Sequence, residues 1–437
     1  MIRAPQHTSA PWRIVALLCA TATAGYMCRV NVSTAGVLLM EEFGLTQVAM
    51  GGLFSAFLLG YAFFQVPAGM LADRFGARRV LGAAAWLWVG ATAMQALVGV
   101  GPFGSGLLGA LGMFVAWRFL LGVSEAPTYP GSAAGVSRWV LPAYQARANG
   151  IVIASIGLGS ALAPPLVSHV MVRWGWRAAL LASAIPALAV ALVWLGVKEP
   201  PRAVRAPDEP VVRPGPDGSA APAPSPAPAA APAHTLRTRS FTLLTASYTL
   251  QGYVGYIFVS WFYLYLVQER GFSLLGGAWM SSLPWVLSIV SIPLGGWVAD
   301  RLTAGRFGPV WGRRAVPMFG MAGSGVLIAV GAHTGSAVLA AVSLAFATAL
   351  VLCVEGPFWA MMMRVSGPRS GTAGGIMNMG SNLGGLVSPA LTPLLAAFIG
   401  WEAALHIAAA LSVVAALLWL GIRPGAEAEG HRPPQRG

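Results

Sequence analysis

The chain alternates between long apolar runs and short clusters of charged residues. A helix of about 20 apolar residues crosses the ~30 Å hydrocarbon core of a bilayer. Runs of roughly that length fall into two sets of six, separated by a polar break. They are 13–39, 48–72, 80–100, 107–137, 147–172 and 177–197, followed by 241–267, 272–299, 315–333, 336–363, 371–399 and 402–422. The pattern predicts an all-α membrane protein with twelve transmembrane helices in two six-helix bundles.

The break between the two sets, 198–240, is rich in proline and alanine and poor in large apolar residues. A segment of this composition cannot bury enough apolar surface to offset the entropy of ordering it. We therefore expect a disordered cytoplasmic linker between an N-terminal bundle at 13–197 and a C-terminal bundle at 241–422. Cytoplasmic tails are expected at 1–12 and 423–437.

Composition agrees with this pattern, because the 437 residues are 56% hydrophobic and only 9% charged. In an ordinary soluble domain about a quarter of the residues are charged. The net charge of +13 alone would suit nucleic acid, but the basic residues cluster between the apolar runs, which is the positive-inside pattern. We expect a multi-pass protein of the plasma (inner) membrane with both termini in the cytoplasm. It is expected to be a monomer in the lipid bilayer, with no nucleic-acid partner.

The sequence lacks the residue patterns that are typical of enzymes and metalloproteins. All three cysteines lie in apolar runs, and the six histidines do not have the spacing of metal ligands. A nucleophile–base pair and a phosphate-binding loop are absent as well. We therefore expect no catalytic residues, no metal and no cofactor.

The two halves of the chain share short segments in the same order. "GMLADR" (69–74) recurs as "GWVADR" (296–301), "LGSALAP" (158–164) as "LGGLVSP" (383–389), and "GWRAAL" (175–180) as "GWEAAL" (400–405). The last two pairs are separated by the same offset. Parallel repeats of this kind are related by an axis along the membrane normal, and transporters that have them bind substrate between the halves. The repeat therefore predicts a transporter with a pseudo-twofold axis.

Several motifs resemble a known transporter family. "GYAFFQVPAGMLADRFGARR" (60–79) resembles the signature loop between helices 2 and 3 of the major facilitator superfamily. "RFLLGVSEAPTYPG" (118–131), "GYIFVSWFYLYL" (255–266) and the segment from "EGPFWA" to "SPALTPL" (355–394) resemble its anion:cation symporter family. That family includes bacterial hexuronate and galactonate carriers and vesicular glutamate and sialic acid transporters. The resemblance implies the major facilitator fold, alternating access and a small organic anion as substrate. It also implies a gating role for the charged motif residues Asp73, Arg74, Arg78, Arg79, Asp300 and Arg301.

Arg29 lies in the middle of an apolar run, "GYMCRVNVSTAGVLL" (25–39). A charge at the centre of a transmembrane helix costs about 2.5–3.5 kcal/mol on insertion scales, so it needs a compensating role. Tyr26 and Ser33 share its helix face. The planar guanidinium matches a carboxylate bidentately, so we interpret Arg29 as the anion-binding residue. Members of the family carry a substrate-binding arginine at this position, which supports anion binding. The alternative is that Arg29 forms a permanent ion pair with a buried acid on another helix.

Arg118 and Glu125 lie seven residues apart, about 10.5 Å along one helix face, which is too far for a direct pair. Burial disfavours the ionised form of a carboxylate and a nearby arginine favours it. A carboxylate balanced in this way can load and release a proton, and the counterpart of Glu125 does so in the family that it resembles. We therefore predict that Glu125 carries the coupling proton, with a fixed packing role as the alternative. Arg118 either binds substrate or holds Glu125 ionised.

Further polar residues within the runs are candidates for the substrate pocket. Tyr61 and Trp359 match pocket positions of the family, and Tyr253 and Tyr256 lie deep in helix 7. For Asn378 and Asn382 the alternatives are hydrogen bonds to substrate and contacts between helices. Glu355 is either a second proton site or a structural hydrogen-bond partner. The predicted substrate-binding set is Tyr26, Arg29, Tyr61, Arg118, Tyr256, Trp359, Asn378 and Asn382, whereas Trp261, Tyr263 and Tyr265 are expected to be interfacial anchors.

Cys28 departs from the family pattern. Many proton-coupled bacterial members have an aspartate immediately before the arginine of helix 1. A thiol, which titrates near pH 8.5 in water, does not replace a carboxylate as a proton carrier near pH 7. Glu125 acting alone, Glu355 as a substitute and uncoupled transport all remain open. We expect proton-coupled import of a small carboxylate such as a sugar acid, with a proton-driven exporter or an anion exchanger as the rival functions.

Overall fold

The computed structural model describes residues 10–100, 106–198, 238–305, 308–366 and 370–423, and all regular structure within these ranges is helical. Most of the predicted linker, most of the N-terminal tail and nearly all of the C-terminal tail lie outside the described residues. The helices are α1 (Ala10–Phe43), α2 (Gln47–Phe75), α3 (Ala77–Ala96), α4 (Gly106–Glu125), α5 (Thr128–Trp139), α6 (Pro142–Gly196), α7 (Arg239–Gln268), α8 (Leu274–Ala304), α9 (Gly308–His333), α10 (Ala337–Cys353), α11 (Glu355–Ser366) and α12 (Ser370–Leu418), followed by a 3-10 turn (Trp419–Gly421).

The described helices account for twelve membrane passes. Nine helical segments are long and apolar enough to cross a bilayer, and two of these, within α6 and α12, are 50 residues long. Each of the two contains one glycine with non-helical backbone angles, Gly175 (φ 80°, ψ 169°) and Gly400 (φ 84°, ψ 158°), where two spans meet end to end. The shorter α3 adds a pass, because its 20 residues extend about 30 Å. The predicted fold class is confirmed.

The junctions at Gly175 and Gly400 occupy equivalent positions in the repeated segments "GWRAAL" and "GWEAAL". Both glycines have a positive φ, which is unfavourable for residues that carry a Cβ atom. The repeat read from the sequence therefore corresponds to the same sharp turn between the fifth and sixth passes of each half.

Two of the passes each consist of two consecutive helices. The fourth pass consists of α4 and α5, with the break after Glu125, and the tenth consists of α10 and α11, with the break before Glu355. A proline follows each glutamate by two residues, at Pro127 and Pro357, and proline cannot donate the hydrogen bond that would continue a helix. The sequence thus places a carboxylate at a helix break in each half.

Helices α2 and α4 of the N-terminal half pack in close contact. A Cβ atom on Gly122 would lie 2.0 Å from the backbone oxygen of Phe57, and one on Gly60 would lie 2.3 Å from that of Phe119. Small residues let helix backbones approach in this way in membrane proteins. The approach places Phe57 and Tyr61 of α2 directly against α4.

The two halves are joined at the end of the molecule that carries the α1–α2 and α7–α8 turns, here called the Glu42 end. There Trp401 donates to Gln47 at 3.2 Å, and the rings of Phe54 and Trp261 lie 5.5 Å apart. The opposite end carries the α2–α3 turn and is called the Arg78 end. Towards that end, Asn378 of α12 donates to Gln65 of α2 at 3.0 Å.

The expectation that Trp261, Tyr263 and Tyr265 anchor the protein at the membrane interface is wrong. All three side chains are buried. Trp261 donates to the backbone oxygen of Pro389 at 2.9 Å, and the hydroxyl of Tyr263 lies 3.0 Å from that of Ser168 in the other half. These residues hold helices together instead of facing lipid headgroups.

Candidate functional site

Arg29 and Glu125 form a buried ion pair between α1 and α4. Arg29 Nε lies 3.2 Å from Glu125 Oε2, and the two side chains are 5% and 1% exposed. Arg29 Nη1 also donates to the hydroxyl of Tyr26 at 3.0 Å. Its guanidinium carbon lies 4.2, 4.8 and 4.6 Å from the ring centroids of Tyr26, Phe57 and Tyr61. In this conformation Arg29 is therefore paired with an acid of another helix, inside a shell of aromatic rings.

The break in the fourth pass positions the Glu125 carboxylate beside α1. Glu125 is the last residue of α4, and its backbone oxygen accepts a hydrogen bond from Thr128 Oγ1 at 2.7 Å. The carboxylate lies against Gly25 of α1, where a Cβ atom would be 3.4 Å from Glu125 Oε1. The same Oε1 has no hydrogen-bond partner among the described residues. One of the two carboxylate oxygens thus remains available for a proton.

Arg118 is a second buried guanidinium beside this pair. It is 2% exposed, and Nη2 donates to the backbone oxygen of Arg29 at 3.2 Å. Its Nε and Nη1, like Nη2 of Arg29, have no hydrogen-bond partner in the described part of the chain. Arg118 forms no ion pair with Glu125 there. The cluster therefore contains two guanidiniums and one carboxylate, which leaves one excess positive charge when Glu125 is ionised.

A small cavity lies between the two halves, next to both arginines. Its volume of about 20 Å³ suffices for about one water molecule. α1, α2 and α4 of the first half and α7 of the second contribute the lining residues, which are Arg29, Ser33, Phe54, Phe57, Leu58, Arg118, Tyr256, Val259 and Ser260. The cavity lies where the repeat predicts a transporter site, at the interface of the halves.

The structure brings only some of the predicted pocket residues together. Tyr26 and Tyr61 contact Arg29, and Tyr256 lines the cavity with its ring packed on Gly385. Tyr253 is a partner of Thr392 instead, with 3.1 Å between their hydroxyl oxygens.

Trp359, Asn378 and Asn382 do not line this cavity. The ring of Trp359 packs 6.4 Å from that of Tyr248, and Asn378 bonds to Gln65 across the two halves. Asn382 is buried in α12.

Sequence reasoning missed Phe57, whose ring contacts the guanidiniums of both Arg29 and Arg118. Phe57 precedes Tyr61 by one helical turn, and this i, i+4 pair of aromatic residues is the signal that marks it. Ser260 was missed as well, because a serine among the aromatic residues of α7 carries no distinguishing pattern. Both residues line the cavity.

Glu355 is the counterpart of Glu125 in the second half, since "EGPFW" at 355–359 corresponds to "EAPTY" at 125–129. Tyr248 donates to Glu355 Oε1 at 2.6 Å, whereas Oε2 is buried without a hydrogen-bond partner in the described ranges. No basic side chain forms an ion pair with Glu355 within those ranges. The second half thus repeats the carboxylate but pairs it with a neutral hydroxyl.

Cys28 is not among the residues that line the cavity. Cys28 is fully buried, and its Sγ donates to the backbone oxygen of Ser183 in α6 at 3.6 Å. The residue that replaces the family aspartate therefore packs α1 against α6. It does not contribute to the arginine cluster.

The predicted gating residues lie at the Arg78 end. Arg78 donates to the backbone oxygen of Leu195 at 2.9 Å, near the end of α6 in its own half. Arg74 and Arg301 stack on their neighbours Phe75 and Trp297. Two further members of the predicted set, Arg79 and Asp300, are exposed, and the side chain of Asp73 lies outside what the structure describes.

Within the described residues no group of three or more histidine, cysteine, aspartate or glutamate side chains could hold a metal ion. The described residues of the site are two arginines, one carboxylate and surrounding hydroxyl groups. Such an arrangement can bind an anion and exchange a proton.

Comparison with known proteins identifies the family. The family model of the Major Facilitator Superfamily matches residues 17–386 and 302–437. A "Probable sulfoacetate transporter" of Cupriavidus necator is 31% identical over 418 residues, which are 94% of this chain and 93% of that protein. A "D-galactonate transporter" of Escherichia coli is 26% identical over 90% of this chain and 91% of its own. A "Probable galactarate/D-glucarate transporter" of Bacillus subtilis is 27% identical over 95% and 92%.

Solved structures agree on the fold. A bacterial homologue of the human lysosomal transporter Spinster, in an inward-facing and occupied conformation, superimposes with a TM-score of 0.77 at 17% identity, covering 94% of this chain and 97% of its own. A D-xylose–proton symporter superimposes with a TM-score of 0.72 at 16% identity, covering 94% and 98%. The chain is a multi-pass membrane transporter of organic anions and belongs to the major facilitator superfamily, within its anion:cation symporter family.

Proposed function

We propose that this protein imports a small organic anion, a carboxylate such as a sugar acid, by alternating access and in symport with protons. The observation that carries the proposal is the buried Arg29–Glu125 pair beside Arg118, with both arginines lining a cavity between the halves. The relatives named as sugar-acid and sulfoacetate transporters support an anionic substrate.

Competition for Arg29 links the anion to the proton. A substrate carboxylate that binds the fork of Arg29 displaces the Glu125 carboxylate, 3.2 Å away in the pair. An ionised carboxylate without a partner is strongly disfavoured among buried aromatic rings, so the displaced Glu125 takes up a proton. Release of the anion lets the pair form again and expels the proton. Anion and proton therefore bind and leave together.

An inward proton gradient sets the direction of transport, whereas the orientation of the chain determines which end of the molecule opens to which side of the membrane. The positive-inside pattern predicts that the Arg78 end faces the cytoplasm. Contacts such as those of Gln47 with Trp401 and of Phe54 with Trp261 close the Glu42 end, so this conformation closes the site to the outside. Opening there requires these contacts to break while the halves close around the Gln65–Asn378 bond at the other end. We assign the gating of the Arg78 end to Asp73, Arg74, Arg78, Arg79, Asp300 and Arg301.

Uncoupled anion exchange is the second candidate, and the unpaired state of Arg118 favours it. A monoanion that binds Arg118 alone neutralises the excess charge of the cluster and leaves the Arg29–Glu125 pair intact. No proton would then be needed. The two functions differ in whether the anion must engage Arg29.

Substitution of Arg29 by lysine tests the proposal. Lysine keeps the charge but loses the planar fork, so we expect severe loss of uptake of radiolabelled gluconate, glucuronate or galactonate into proteoliposomes. Arg177→Lys is a matched control, because Arg177 forms its ion pair with Glu42 at the Glu42 end. Normal uptake by Arg29→Lys protein, with the control also active, would remove Arg29 from the anion site.

A further inference from the structure

Arg118 carries a buried charge that the described chain does not balance. Its only hydrogen bond in the described ranges joins Nη2 to the backbone oxygen of Arg29, and its Nε and Nη1 have no partner there. The carboxylate of Glu125 is engaged by Arg29. An unpaired guanidinium that is only 2% exposed is strongly unfavourable, so a ligand is the natural source of its counter-charge.

The two guanidiniums face the same small space. Both arginines line the cavity, and their guanidinium carbons lie 4.8 and 5.0 Å from the centroid of the single Phe57 ring. They are thus less than about 10 Å apart. With N···O distances of about 2.8 Å in each guanidinium–carboxylate pair, a ligand that balances both charges with one acidic group on each fork has its two acidic groups close together.

We propose that the transported anion is a short dianion, with one acidic group bound by Arg29 and the other by Arg118. This inference rests on the proposed function and names the substrate class of the same site. The acidic groups are carboxylates or sulfonates, because either presents oxygens to a guanidinium fork. Ser33, Tyr256 and Ser260, which line the same cavity, supply hydroxyl groups for the remaining oxygens.

Charge balance gives the dianion a specific consequence. The two arginines bring two positive charges, so a dianion neutralises the cluster only when Glu125 is protonated. A monoanion that binds Arg29 also requires a protonated Glu125, but it leaves the charge of Arg118 unbalanced. Each substrate is therefore carried with one proton, so a dianion crosses the membrane with one net negative charge and a monoanion with none.

Matched ligands test the charge preference on the unmodified protein. Malonate, succinate and galactarate are each compared with a monoanion of the same skeleton, namely monomethyl malonate, monomethyl succinate and galactonate, for binding to protein in nanodiscs. Removing one partner of a buried charge pair costs roughly 100-fold in affinity, so we expect a preference of that order for at least one dianion. If no dianion binds better than its monoanionic partner, the inference is wrong.

Arg118→Gln tests the assignment of the second acidic group. The variant should bind the preferred dianion roughly 100-fold more weakly while the affinity for the matched monoanion changes far less. Arg314→Gln is the control, because Arg314 is also buried but donates to the backbone oxygen of Ile422, far from the cavity. We expect this control to leave the dianion-to-monoanion ratio unchanged. An unchanged ratio in Arg118→Gln would overturn the assignment, and the ligand comparison above decides the matter if this variant does not fold.

The charge moved with each substrate supplies an independent check. Uptake of dianion and monoanion is measured in proteoliposomes at zero membrane potential and at an imposed inside-positive potential. We expect the inside-positive potential to increase uptake of the dianion and to leave uptake of the monoanion unchanged. An equal response of both anions to the potential overturns the inference alone, whereas failure of every anion to bind or enter in an Arg29-dependent way overturns the proposed function as well.

Discussion

Glu125→Gln should lower the stability of the protein without bound anion and raise its affinity for anions. The substitution removes the carboxylate 3.2 Å from Arg29 Nε and leaves a guanidinium that is only 5% exposed without a counter-charge. Breaking a buried pair by removing one partner costs about 3–5 kcal/mol. A bound anion restores the missing charge without having to displace Glu125. Since each 1.4 kcal/mol corresponds to about tenfold in affinity, recovery of even half of that cost strengthens anion binding by roughly tenfold or more.

Thermal unfolding in detergent, with and without anion at several pH values, measures both effects. Wild-type protein should show a ligand-induced rise in Tm that grows as the pH falls, because protonation of Glu125 frees Arg29. Glu125→Gln protein should have a lower Tm when empty and a larger, pH-independent rise with anion. Glu42→Gln is the matched control, because the Glu42–Arg177 pair is 40% and 34% exposed and such pairs contribute about 0–1 kcal/mol.

Two results would refute this reasoning. An unchanged Tm of the empty Glu125→Gln protein would mean that the pair does not stabilise the fold. A ligand response that kept its wild-type pH dependence would mean that another group carries the linked proton. Loss of all anion binding would instead show that Glu125 helps to hold the anion.

Three further outcomes are expected. Glu355→Gln should lower the number of protons carried per anion if Glu355 is the second proton site. Tyr248→Phe, which removes the 2.6 Å hydrogen bond to Glu355, should shift the pH profile of uptake. An unchanged proton count and an unchanged pH profile in the two variants would leave Glu355 a structural role. Gly122→Ala should lower Tm by several degrees, because the new Cβ atom would lie 2.0 Å from a backbone oxygen and overpacking costs about 1–3 kcal/mol. The control Gly112→Ala, which has open space around its Cβ position, should not lower Tm. Gln65→Leu should weaken the link between the halves towards the Arg78 end and increase labelling of cysteines introduced at that end. Unchanged labelling would show that the bond to Asn378 does not restrain it.

The fold could be predicted well from the sequence because a bilayer constrains it tightly. Apolar runs of the required length mark each pass, and the repeats around Gly175 and Gly400 mark equivalent turns in the two halves. The breaks beside Glu125 and Glu355 were not predicted, although the E-x-P pattern repeats in the chain. Runs of hydropathy show only that a span exists, since a helix interrupted for one or two residues remains apolar throughout.

The site could be predicted only in part because sequence spacing describes one helix at a time. The separation between Arg118 and Glu125 correctly indicated that they do not pair, but it could not show that Arg29 reaches Glu125 from α1. The burial of Trp261 likewise depends on which helix packs against α7. Aromatic residues near a membrane interface have the same sequence pattern whether they face lipid or protein. Contacts between helices are the information that the linear pattern lacks.

The central claim is that a proton on Glu125 and an anion on Arg29 move together. The most direct measurement is accumulation of radiolabelled anion in proteoliposomes under an imposed inward proton gradient, with wild-type and Glu125→Gln protein in parallel and counterflow exchange as the control for a folded carrier. We expect the wild type to concentrate the anion above its external level and Glu125→Gln to exchange anion without concentrating it. Gradient-driven accumulation by Glu125→Gln equal to that of the wild type would contradict the account.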